Sequence, residues 1–163
     1  MSDRNGYFCE LVNAASDFCL LIEHVEIYEN RQWLGDMGRL LSRLQMAMTH
    51  LDDRSIEYSY FSVPDLGERF ELYCKLNDKL GERDAYMLEF DTDDDVVDMT
   101  GSLAGDFADI YFELKRGLNL SLSKDIKQED SLLMWQTGYI LVWGRQLVNA
   151  QKQLFSLRAA NQI

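Results

Sequence analysis

The sequence predicts an all-α fold, a bundle of about five helices with one long acidic loop. Three observations carry that reading. Pro64 is the one proline among 163 residues, and proline is the residue that helix interiors exclude. Apolar residues recur at alternating spacings of three and four, the pattern of a helix with one buried face. The chain is 47% apolar and 12% aromatic, enough to build a packed core rather than a disordered coil. The length suits a single domain over residues 1–163.

The elements follow in order. Ser2, Asp3 and Asn5 offer capping side chains. A first stripe then runs through Phe8, Leu11, Ala15, Phe18, Ile22 and Val25. A second runs through Leu34, Met37, Leu41, Leu44, Met48 and Leu51. The link around Glu29 to Gln32 is short, so the first two helices are expected to form an antiparallel hairpin. Residues 52–63 break the pattern, and Pro64 stands where a helix begins. Leu66, Phe70, Tyr73 and Leu80 mark a third helix ending near Gly81. Residues 86–90 read as briefly extended, and residues 91–98 as an acidic loop. Ser102 caps a fourth helix with Leu103, Phe107, Ile110, Leu114 and Leu118 inside. Residues 119–129 read as a loop. The last helix covers about 130–157, with a stripe at Leu132, Trp135, Tyr139, Trp143, Ala150, Leu154 and Leu157. Helices with a single apolar stripe bury it against one another.

Charge narrows the function classes. The net charge is −12, which argues against nucleic-acid binding, because that affinity comes largely from Lys and Arg neutralising phosphates. Residues 82–109 hold ten acids and one base, whereas residues 110–163 hold four acids and seven bases. No run approaches the ~20 apolar residues of a membrane span. Acids such as Glu10, Asp17 and Glu23 interrupt the first thirty residues, so no signal peptide is expected and the expected location is the cytoplasm. Cys9, Cys19 and Cys74 are too few and scattered for a disulfide framework. Cys9 and Cys19 would lie about 15 Å apart along one helix. Each cysteine is expected to be a small buried residue.

The segment 101–118 reads GSLAGDFADIYFELKRGL, and 134–154 reads MWQTGYILVWGRQLVNAQKQL. The pairs and triplets Ser102-Leu103, Asp109-Ile110-Tyr111 and Trp143-Gly144, with Asp106 and the run from Leu114 to Leu118, resemble an uncharacterised bacterial family, a domain of unknown function. The resemblance covers about residues 86–155. It implies an all-helical fold and no particular activity. It also marks departures: family members often carry Asp at the position of Gly105, and histidines at those of Val142 and Gln146.

Several constellations are candidates for chemistry. Asp106, Asp109 and Glu113 share one side of the fourth helix by their spacing of three and four. Carboxylates so placed are candidate ligands for Mg²⁺ or Mn²⁺, provided a second helix adds its own. Glu23, Glu26 and Glu29 have the repeat for that, with Glu26 the chosen candidate. The plainer reading is a solvated flank, with Asp106 near the helix N-terminus and Glu113 available to Arg116. Asp91, Asp93 and Asp95 open like a calcium loop, but Val96 and Ser102 stand where an EF-hand needs glycine and glutamate. His24 and His50 lack metal-spaced partners, and His50 is expected to favour a helix end. Gly101 and Gly105 lack the Gly-Lys of a phosphate loop. Trp135, Tyr139 and Trp143 form an aromatic ladder expected in the core. Gln146 falls on that stripe and needs a partner, expected to be Asp109 or Tyr111. Tyr111, Trp143 and Gln146 are therefore the candidates for a polar core or interaction site.

These observations point to a non-catalytic protein-binding or regulatory module, with no enzyme activity and no cofactor expected. The expected partner is another protein, with no nucleic acid and no membrane, and a homo-oligomer stays open. Two alternatives remain: an acidic inhibitor of the immunity type, and a metal-dependent hydrolase using the helix-borne carboxylates.

Overall fold

The computed structural model describes residues 2–52, 65–88, 99–125 and 127–163, with the backbone only at Ser2 and Met99. Pro64, the acidic loop 91–98 and most of the break at 52–63 lie outside the described residues. The fold is all-α, with one small β-hairpin. Helix α1 is Ser2–Glu23 and α2 is Asn30–Leu51. Then come α3 (Leu66–Leu80), β1 (Ala85–Leu88), β2 (Met99–Ser102) and α4 (Leu103–Ser121). A last rod consists of α5 (Gln128–Gly138), a π turn at Tyr139–Trp143 and α6 (Gly144–Ala159).

The α1–α2 pair is antiparallel, as its contacts record. Tyr7 stacks on His50, centroids 3.9 Å apart. Arg43 reaches Glu10 at 2.6 Å and Asp17 at 3.0 Å. The Trp33 indole N–H donates to the Leu21 carbonyl at 3.1 Å. Both stripes are buried as expected. Glu29 caps α2 by accepting from the Gln32 N–H, which satisfies one of the donors a helix start leaves open. Each histidine sits at a helix end. The Nδ1 atoms of His24 and His50 lie 3.0 and 2.9 Å from the Leu20 and Met46 carbonyls, to which a protonated ring nitrogen donates.

Asp65 caps α3, accepting from Gly67 and Glu68. Gly81 ends it at φ 56, a backbone state that favours glycine. The stripe expected on α3 is corrected: Leu66 and Phe70 are exposed, and Leu76 and Leu80 are the buried pair. Tyr73 and Leu80 of the expected stripe do face the core, with Leu76 between them, so only its first half is left uncovered. Cys9 is a second correction, being exposed, while Cys19 is buried and Cys74 half-buried. Burial pushes the Cys19 thiol up to about 12.

Helix α4 is the central element, packed against α1, α3, α5 and α6. Its Phe107 meets Phe18 and Trp33 edge-on, at 6.2 and 5.6 Å. Such geometry suits the charge distribution of aromatic rings. Trp135 lies directly on Gly117, where no side chain separates the helices. Among the described residues, no helix is long and apolar enough to cross a membrane.

Candidate functional site

The start of α4 is built on Asp84, a buried carboxylate in the turn before β1. Its Oδ1 accepts the Ala104 N–H at 2.6 Å, and its Oδ2 accepts from Asn77 at 2.8 Å. The Ser102 hydroxyl donates to the same carboxylate and itself accepts from the Gly105 N–H at 3.1 Å. Ser102 is thus the expected cap, and Asp84 orients it. The hairpin register sets Tyr86 opposite Gly101, and the Tyr86 ring fills the space a side chain there would occupy.

The candidate carboxylates face four different partners. Asp106 is only 8% exposed and accepts the Tyr86 hydroxyl. Asp109 pairs with Arg69 of α3 at 2.5 Å. Glu113 is buried, pairs with Arg116 at 2.7 Å and lies against the bare Cα of Gly138. Glu26, on the turn Val25–Ile27, pairs with Lys75. Residues 106 and 113 share an azimuth but are separated by about 10 Å of helical rise, so the flank is spread along the hairpin, α3 and α5. Among the described residues, no group of three His, Cys, Asp or Glu side chains is placed to hold a metal ion. The solvated flank is corrected too, since Asp106 and Glu113 are buried and individually satisfied.

Burial, with Asp109 and Asp84 nearby, raises the Asp106 carboxyl to about 7. Burial also raises Glu113, against the pull of Arg116. An acid raised in the folded state stabilises that state below its ordinary value of 3.8 and ceases to do so as pH rises through about 7. Asp106→Asn is therefore expected to raise stability by roughly 2 kcal/mol at pH 8 and to change little at pH 4. Urea unfolding at the two pH values checks this, and equal shifts at both would refute it.

Gln146 was expected to meet Asp109 or Tyr111, and it meets neither: Asp109 is held by Arg69 and Tyr111 by Glu23. The Tyr111 hydroxyl donates to Glu23 at 2.9 Å, beside the Lys115 ammonium at 2.5 Å. That contact ties the end of α1 to α4, and the hydrogen bond from Lys115 holds the Glu23 carboxyl below its usual range. Burial raises the Tyr111 hydroxyl. Gln146 Oε1 is buried with no hydrogen-bond partner among the described residues. A π turn precedes this position. The Gly144 N–H bonds the Tyr139 carbonyl five residues back, which adds a residue to that turn. Between Trp143 and Ala150 the fully buried position is Leu147, four residues after Trp143, and Gln146 stands beside it. Trp143 itself is core as expected, its indole donating to the Trp135 carbonyl at 3.2 Å.

A second feature lies between α2 and α6, and no single motif announces it. A groove of about 510 Å³ opens between α2 and α6. Leu34, Leu154 and Phe155 form its apolar surface, and Arg39, Arg43 and Arg158 line it. Arg39 pairs with Asp36, and Arg43 with Glu10 and Asp17. The Arg158 guanidinium has no hydrogen-bond or ion-pair partner among the described residues. Beside the groove, Leu141, Val148 and Phe155 follow one another at seven-residue intervals and are 51%, 50% and 73% exposed. The sequence signal was available: residues 131–163 contain three bases and no acid. It was hidden beneath the stronger core stripe of the same rod.

Fold and site together define a small all-α bundle with a cationic, partly apolar groove and a set of separately satisfied internal carboxylates. The chain belongs to the family described as a domain of unknown function, DUF5063, whose model matches residues 3–160. That match extends well beyond the 86–155 that carry the motifs. Among solved structures, the chain is similar to protein BF1032 from Bacteroides fragilis, a structural genomics target. The two share 23% identity over 91% of this chain and 90% of that one, with a TM-score of 0.72, a likeness of fold. No curated protein matches the sequence.

Proposed function

We propose that this chain is a non-catalytic protein-binding module that presents the outer face of α6 to another protein. One observation carries the reading: Val148 and Phe155 are exposed seven residues apart on α6, with Leu141 of the preceding π turn exposed too, while the other face of α6 buries Leu147, Ala150, Leu154 and Leu157. Exposed apolar side chains aligned along one element mark an interaction surface more than singly scattered ones do. The carboxylate flank, by contrast, is committed to internal pairs, as in a scaffold element.

The test uses the intact chain and its Val148→Glu and Phe155→Glu variants as bait in native lysate. Both side chains are at least half exposed, so melting temperatures are expected to shift by less than about 2 °C. A protein retained by the parent and lost by both variants is the expected result. Identical capture profiles for all three baits would remove α6 as the docking face.

A further inference from the structure

We infer that the groove between α2 and α6 receives an acidic amphipathic helix of a partner protein, which seats apolar side chains on the floor and carboxylates against the guanidinium rim; this rests on the reading of α6 as a docking face. The floor supplies the apolar half of the match. Leu34 and Leu154 are buried from below, while the Phe155 ring stands 73% exposed above them. The volume of about 510 Å³ takes one or two large side chains, not a whole helix, so the partner lies across the opening. A helix lying across such a groove would offer them at spacings of three, four and seven.

The rim supplies the charged half. In a chain of net charge −12, three guanidiniums converge on this opening. Two of them already hold carboxylates of the chain itself, Asp36 for Arg39, and Glu10 with Asp17 for Arg43. Arg158 holds none among the described residues, so an incoming carboxylate completes the set. The planar fork of arginine fits such a group in two-point contact. The stretch 131–163 has no acid, so α6 adds no carboxylate to the Asp36, Glu10 and Asp17 already paired with rim arginines. A polyphosphate or an anionic bilayer would share the attraction to arginine, but each must approach a strongly acidic molecule over a wide area. A concave seat also suits a protruding side chain better than a flat membrane.

A synthetic helical peptide with Leu at spacings of three, four and seven and Glu at the flanking positions is the probe, and its counterpart replaces every Glu with Lys. Fluorescence anisotropy with the full chain is expected to show the Glu peptide binding at least about tenfold tighter. Arg158→Glu is expected to weaken the Glu peptide about tenfold and to favour the Lys peptide. Equal binding of both peptides, no saturable binding, or indifference to Arg158→Glu overturns the inference. So does tighter, Arg158-dependent attachment to phosphatidylserine–phosphatidylcholine vesicles. A concentration-dependent dimer in sedimentation that Phe155→Glu abolishes assigns the groove to a second copy and overturns it as well. Failure of the parent reading looks different: there, Phe155→Glu leaves lysate capture unchanged. A partner lost with Phe155→Glu while the Glu peptide fails to bind removes only the acidic-partner assignment.

Discussion

Replacing Gly117 with alanine is expected to cost about 3 kcal/mol, near the upper end for overpacking a core. The added methyl would meet the Trp135 indole directly, at Nε1 and the neighbouring ring carbons. Trp135 is fully buried, and its N–H donates to the Leu114 carbonyl at 3.3 Å. The ring cannot tilt aside without losing that bond and pressing on Phe8, whose centroid lies 6.1 Å away. Either α4 and α5 separate or the indole leaves its pocket. Thermal unfolding of the variant is expected to fall by roughly 6–12 °C for a domain of this size. Gly6→Ala is the control, because nothing lies within 4 Å of the added atom. Helix propensity alone then applies, and a gain of up to about 1 kcal/mol is expected. A loss at Gly117 no larger than about 0.5 kcal/mol would refute the close-packing argument.

Asp84→Ala is expected to cost a similar amount, on the order of 3 kcal/mol, through unmet hydrogen bonds rather than crowding. The carboxylate is 5% exposed and serves the Ala104 N–H, the Asn77 amide and the Ser102 hydroxyl at once. Removing it strands a buried backbone N–H in the first turn of α4. It also frees the Ser102 side chain that caps Gly105. Ser102→Ala removes only the cap and is expected to lose about 1 kcal/mol. Urea denaturation of both variants gives the comparison. Equal losses would mean that Asp84 works solely through Ser102, contrary to the direct Ala104 bond.

The two variants bear on what could be read from the chain. The stripes of α1, α2 and α4 were legible because each helix buries one continuous face, and Ser102 was legible because caps are local. Asp84 was not, since its donors come from residues 77, 102 and 104, a meeting that only the folded turn creates. Leu66 and Phe70 misled because apolar spacing marks a helix without saying how much of its length is covered. Gln146 misled because positions 146 and 147 both fall at core spacing after Trp143, and Leu147 is the one fully buried. The carboxylate flank was read correctly as one side of a helix. Its distribution among Tyr86, Arg69 and Arg116 depends on which elements pack against that side. The groove arginines come from two helices more than a hundred residues apart, so no local pattern contains them.

The acid-free stretch 131–163, set against the acid-rich remainder, has a consequence for encounter rates. It gives α6 three bases and no acid of its own, a local positive field along that helix. A charged partner is turned by such a field before it touches, over distances up to the Debye length of about 8 Å in physiological salt. Added salt would therefore slow arrival at α6 more than it shortens the life of a contact already seated on Leu34, Leu154 and Phe155. Kinetics at varied ionic strength would separate those two contributions of the same surface.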